Sequence, residues 1–215
     1  MNLSRQLLAS AAMVCIASGA VQAQLVTAAT PEMTNTVNLA CGSQYTSGPV
    51  DLGGGVTFTS SSSIAVLCYT SGYGLAANGN WDATAGPYMG LDAYGGWMRL
   101  TFSSAIGAVG GDVNWAGSPY SSSADVFIRV LAADNSVLDS FSFADVSTPE
   151  GINASAFRGI VRSSNDIYAV EFADGFVVAR NIKYGEVTAT PEPASLVLLG
   201  TGLVGVMAVR RRRKA

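Results

Sequence analysis

Between Gln24 and Thr190 the chain shows almost no helical periodicity, and that constrains its fold more than any other feature. Short β-branched and aromatic runs alternate with clusters of Gly, Ser, Asn, Asp and Pro, the pattern of strands and turns. Candidate strands cover 56–60, 64–69, 97–103, 105–115, 125–132, 137–143, 166–172 and 176–187. A period of two runs through them. Met98, Leu100 and Phe102 share one face with Trp97, Arg99 and Thr101 opposite; Val126, Ile128 and Val130 share another. Cys68 falls on the face of Ile64 and Val66, which suits a buried half-cystine. Asp134-Asn135-Ser136 reads as a hairpin turn, because Asp and Asn tolerate left-handed backbone. About eight strands over roughly 165 residues predict an all-β domain, a two-sheet β-sandwich of jelly-roll type. Residues 24–40 read as poorly structured, and 185–193 as a short linker.

Composition removes several function classes. Charged residues make up 13% of the 215, about half the usual share. No histidine is present, which excludes Ser-His-Asp and Cys-His catalysis and histidine-ligated zinc. Residues 24–190 hold six basic residues (Arg99, Arg129, Arg158, Arg162, Arg180, Lys183) against fourteen acidic ones, a net charge of −8. Such a body is repelled by nucleic acid and anionic lipid, so no nucleic-acid partner is expected. No cofactor motif, calcium loop of the Asp-x-Asp-x-Asp-Gly kind or metal-spaced cysteine pair occurs, and the expectation is no cofactor and no metal.

The two ends carry addresses. Arg5 precedes an apolar stretch over 7–17, and small residues lead to Val21-Gln22-Ala23. This is the pattern of a secretory signal peptide over 1–23, a signal helix removed by signal peptidase after Ala23. Cys15 leaves with it, so Cys41 and Cys68 remain in an exported chain and are expected to pair. At the other end, Pro191-Glu192-Pro193 precedes an uncharged run over 194–209, followed by Arg210, Arg211, Arg212, Arg213 and Lys214. The run reads as a single transmembrane helix of roughly 24 Å, slightly short of the ~30 Å hydrocarbon core. Its basic end is held in the cytoplasm by the positive-inside rule. The two prolines stop the helix from running back into the body and leave an extended stretch at the membrane surface.

That order of parts resembles the PEP-CTERM sorting signal: Pro191-Glu192-Pro193, then Ala194-Ser195, a glycine-bearing apolar helix and an arginine cluster. The resemblance implies an exosortase-like membrane protease that removes the tail and delivers an inner-membrane-anchored intermediate to the cell surface or extracellular space. An ordinary permanent anchor is the competing reading. From Met98 to Val187 the chain also resembles the jelly-roll domain of exported proteins carrying this tail, whose last strand often ends in Ile-Asp-Asp before Tyr-Gly. Here Arg180 and Asn181 stand in place of the two acids, ahead of Tyr184-Gly185. The expected layout is a signal peptide over 1–23, an N-terminal extension over 24–50, a sandwich over 51–187 and a sorting signal over 188–215, with its motif at 190–193.

All three tryptophans and five of the eight tyrosines lie between Tyr69 and Tyr120. Trp81, Asp82, Tyr88, Asp92, Tyr94 and Trp97 are the candidate carbohydrate-binding residues. Aromatic faces cover the apolar face of a sugar, and carboxylates bond its hydroxyls. The competing reading has these rings filling the ends of the sandwich. The expected function is a non-enzymatic surface or matrix protein with exopolysaccharide as a partner. The alternative is a polysaccharide-active enzyme with two carboxylates drawn from Asp82, Asp92, Asp112 and Asp125.

Overall fold

The computed structural model describes residues 23–188, except 76–77, 94, 117–125 and 144–149, and residue 202. The expected signal helix, the sorting motif Pro191-Glu192-Pro193, the expected transmembrane helix over 194–209 apart from residue 202, Arg210–Arg213 and Lys214 all lie outside these residues. Among the described residues, no helix is long and apolar enough to cross a membrane.

The described body is all-β, with two main antiparallel sheets and a short 3-10 turn at Ala83–Ala85. Strands are numbered along the chain. The larger sheet runs β1 (Gln24–Val26), β14 (Ala156–Val161), β11 (Ala108–Ala116), β16 (Phe176–Gly185), β9 (Tyr88–Leu91), β6 (Val66–Tyr69) and β3 (Gln44–Tyr45); β2 (Asn35–Thr36) also pairs with β16. The second runs β13 (Val137–Ser142), β12 (Phe127–Leu131), β15 (Ile167–Ala173), β10 (Trp97–Ile106), β5 (Val56–Ser60) and β4 (Val50–Asp51). A two-stranded ribbon joins β7 (Tyr73–Gly74) to β8 (Asn80–Trp81). This sandwich-like body is consistent with a jelly roll.

Register turns the period-two pattern into a core. Met98 lies opposite Phe172, which lies opposite Ile128; Leu100, Val170 and Val130 form the next row. All six are fully buried and meet Val109, Val113, Val177, Ala179 and Ile182 of the larger sheet in one cluster. The predicted hairpin joins β12 to β13. Asn135 sits at φ 66°, and the Asp134 carboxylate accepts from the Ser136 N–H at 2.9 Å and its hydroxyl at 2.6 Å.

Four features differ from expectation. Residues 24–40 are not structureless: β1 pairs with β14, β2 pairs with β16, and Met33, Val37 and Leu39 are buried. The strand expected over 105–115 is divided at Gly107, where the chain leaves one sheet for the other, and the Gly107 N–H donates to Gly185 O at 2.9 Å. β14 was not among the candidates, since glycine weakens strand propensity. Here glycine is required, because a Cβ on Gly110 would lie 2.7 Å from the Gly159 Cα across the ladder. Finally, Cys68 does not share the face of Val66. It adopts φ 52° at a register shift, which turns it with Leu67 toward the main core while Val66 faces outward.

Cys68 is joined to Cys41, as expected for the exported body, with 5.4 Å between their Cα atoms. The bridge ties the segment ahead of β3 to the interior of β6.

A second cluster lies on the other face of the larger sheet. Val66, Tyr88, Ala116 and Val178 alternate along their strands with core residues Leu67, Met89, Trp115 and Val177. They are covered by Tyr73, Leu75, Trp81 and Ala85, from the segment carrying β7, β8 and the 3-10 turn. That segment is a flap laid over the outer face of the sheet.

Candidate functional site

Local chemistry shapes the flap. Asp82 caps the 3-10 turn: its Oδ1 accepts from the Thr84 N–H at 2.8 Å, the Thr84 hydroxyl at 2.7 Å and Asn153 Nδ2 at 2.8 Å. The Asp82 N–H donates to Asn153 Oδ1 at 2.9 Å. Hydrogen bonds from Asn153, then Thr84, hold the Asp82 carboxyl below its ordinary value. Trp81 is fully buried; its Nε1 donates to Ala154 O at 2.8 Å, and the Arg180 guanidinium stacks over its ring at 4.7 Å. Arg180 also donates to the carbonyls of Ala85 and Asn153. Its neighbour Asn181 donates to Asp112 Oδ2 at 2.8 Å. The two residues that replaced the expected acids therefore bind protein groups.

Of the sequence-selected residues, Trp81 and Tyr88 are brought together, in edge-to-face contact at 5.2 Å, but not with Asp92 or Trp97 in one site. Trp81 and Tyr88 are buried within the flap's core and present no ring face to a ligand. Asp82 is engaged with Thr84 and Asn153. Trp97 lies on the outer face of the other sheet, opposite the inward Met98, half-buried and stacked by the Arg99 guanidinium at 4.5 Å. Tyr94 lies outside the described residues, as does Asp125. Asp92 is exposed and does line a groove, of about 140 Å³, with Tyr45, Val66, Tyr69, Gly72, Tyr73 and Gly74.

Tyr45 and Tyr69 give this groove its character. Their rings meet edge to face at 5.6 Å, and their hydroxyls bond at 3.0 Å. Tyr45 is 61% exposed, the only exposed aromatic side chain among the described residues. Bonding to Tyr69, then desolvation and the nearby charge of Asp92, hold the Tyr45 phenol above its ordinary value. Tyr73 and Tyr88 are pushed up mainly by burial; they donate to the carbonyls of Leu91 and Ser71. Tyr45 was missed because it lies in the segment read as an extension, far from the aromatic-rich stretch. Its place at β3, paired with Val66, brings it beside Tyr69.

Among the described residues, no cluster of His, Cys, Asp and Glu has the makings of a metal site. A second groove, of about 320 Å³, borders the turn Gly53-Gly54-Gly55 and is lined by Asp51, Thr57, Thr101 and Ser103.

These groups set a pH profile. Asp82 and Asp134 have depressed values in the fold, so their contribution is present above the unfolded carboxylate range and is lost as pH falls below about 4. Tyr73, Tyr88 and Tyr45 have raised values, so the fold loses stability as pH climbs past about 10, where unfolded phenols ionise. Urea midpoints are expected to be flat between about pH 5 and 9 and to fall on both sides. A midpoint still rising between pH 10 and 11 contradicts the assignment.

No curated protein matches the chain. A solved structure of a histidine mutant of the lectin binding domain of Lectinolysin, complexed with Lewis b, is similar over 47% of this chain and 72% of that one. Identity is 7% and the TM-score 0.30. Residues 189–213 match the PEP-CTERM protein-sorting motif, which implies an exported protein processed by exosortase.

Proposed function

We propose that the exported body is a non-enzymatic cell-surface or matrix domain that holds a saccharide of the surrounding exopolysaccharide in the Tyr45–Tyr69–Asp92 groove. The observation that carries this reading is the pairing of an exposed phenol ring with a second phenol and a carboxylate over one concave site. The ring of Tyr45 offers an apolar face, while the two hydroxyls and Asp92 offer donors and acceptors for sugar hydroxyls. The net charge of −8 over 24–190 favours a neutral sugar over an acidic one. On this reading the apolar run over 194–209 holds the chain in the membrane before processing, and the mature body is free of it.

The test uses protein recovered from the cell exterior, its mass showing the loss of Arg210–Lys214, applied to an array of neutral and acidic glycans. Retention of a neutral glycan without release of reducing sugar is expected. Tyr45→Ala and Asp92→Asn are each expected to weaken retention roughly tenfold, or about 1.4 kcal/mol. Retention unchanged in both variants, or turnover of the glycan, sinks the proposal. So does mature protein that still carries the arginine cluster.

A further inference from the structure

The rings behind the groove form an unbroken series from the flap's core to solvent. Trp81, with none of its surface exposed, meets Tyr88 edge to face at 5.2 Å between centroids. Tyr88 meets Tyr69 at 5.8 Å, and Tyr69 meets Tyr45 at 5.6 Å. Tyr73 branches from Tyr88 at 6.3 Å. Indole and phenol are among the side chains most readily oxidised by one electron. Rings in edge contact pass the resulting hole from one to the next.

The proton decides where that hole comes to rest. A phenol that gives up an electron becomes far more acidic and is stabilised only by losing its proton. Tyr88 and Tyr73 direct their O–H groups at the carbonyls of Ser71 and Leu91, and Trp81 directs its N–H at Ala154 O. A backbone carbonyl accepts a hydrogen bond but is too weak a base to keep the proton. At the surface, the Tyr45 and Tyr69 hydroxyls bond each other, Tyr45 is open to water, and the Asp92 carboxylate lines the same groove. Only there does the proton have an outlet.

We propose that the Tyr45–Tyr69 pair is an oxidative modification site, the surface end of a ring relay that carries one-electron oxidation out of the flap and traps it as dityrosine between two copies of the chain. A one-electron oxidant removes an electron from Trp81, and Tyr88, Tyr69 and Tyr45 refill the hole in turn. Tyr45 loses its proton to water and is left as a neutral phenoxyl radical. Two such radicals, one on each copy, join through the ring carbons beside their oxygens. The hydrogen on each joined carbon is then replaced by one on its own oxygen, restoring both phenols. Each dityrosine therefore consumes two oxidant equivalents and releases two protons.

The relay is tested by exciting tryptophan in the exported body with near-ultraviolet light, using a cobalt(III) ammine as the electron acceptor. The products are mapped by peptide mass spectrometry. Wild-type protein is expected to give a covalent dimer whose cross-linked peptides contain Tyr45, with Trp81 intact. Tyr45→Phe is expected to lower dimer yield at least five-fold. Tyr69→Phe interrupts the series, and oxidised Trp81 is expected to rise several-fold at equal dose. Cross-links that map to other tyrosines, a dimer that survives Tyr45→Phe, or Trp81 oxidation unmoved by Tyr69→Phe overturns the proposal. Both substitutions keep a ring in place, and a thermal melt confirms the fold. The cross-link map is read on wild-type protein without glycan, and glycan retention on wild-type protein without light, so failure of this proposal is distinguishable from failure of the saccharide reading.

Discussion

Replacing Trp81 by alanine is expected to destabilise the body by about 3–5 kcal/mol, the range for removing a large buried aromatic. Trp81 is the largest fully buried side chain of the flap and touches Tyr88 at its centre. Its loss opens a cavity between the flap and the outer face of the larger sheet. It also takes from the Ala154 carbonyl one of its two donors, leaving Asn114 Nδ2 at 3.1 Å, and removes the ring on which Arg180 stacks. The flap, held by this cluster and by the Asp82–Asn153 network, should loosen before the sandwich does. Hydrogen exchange is therefore expected to show amides of Tyr73–Gly74 and Asn80–Trp81 losing protection first, with the β10 and β15 amides keeping theirs until global unfolding. Trp81→Phe, which keeps part of the ring but not the N–H donor, should cost less. A chemical denaturation midpoint for Trp81→Ala within error of wild type would show that the flap's core does not contribute to stability.

Reducing the Cys41–Cys68 bridge is expected to remove about 3.5 kcal/mol. The chain-entropy model gives that figure for a closed loop of this size, since the bridge restricts the unfolded chain. The sequence separation is 27. Position adds to the effect. Cys68 is fully buried in the main core at a left-handed residue, and Cys41 anchors the stretch leading to β3 and Tyr45. Reduced protein should therefore lose order at the groove as well as stability. The comparison is a guanidinium titration of the exported body with and without reductant, alongside a Cys41→Ser/Cys68→Ser variant. Overlapping curves would mean the bridge contributes nothing to the folded state.

Much of the sandwich was legible because strand and turn chemistry is local. Met98, Leu100 and Phe102 alternate with polar neighbours in a run uninterrupted by breakers, and Asp134-Asn135-Ser136 offers left-handed backbone where a hairpin needs it. Such signals need no knowledge of the partner strand. β14 failed the same test because its merit is relational: Gly159 is favourable only opposite Gly110. The candidate site was half legible. Composition located the aromatic-rich stretch, but Trp81 and Tyr88 are buried, whereas Tyr45, outside that stretch, presents the open ring. Alternation states which residues share a face. It does not state whether a second layer will cover that face.

The sequence by itself therefore determined the class of the body, the order of most of its long strands, the identity of the bridged cysteines and the sorting signal, read over 188–215 with its motif at 190–193 and matched at residues 189–213. Each of these is written in contiguous residues or in a simple count. The tertiary structure alone decided which rings are sealed and which are open, how the left-handed turn at Cys68 reverses the expected face, and why Arg180 and Asn181 serve the flap. The physical reason is that these depend on contacts between residues far apart in the chain. The flap spans Tyr73 to Ala85 yet is fastened by Asn153, Ala154 and Arg180. No local pattern encodes a hydrogen bond made across 70 or more positions.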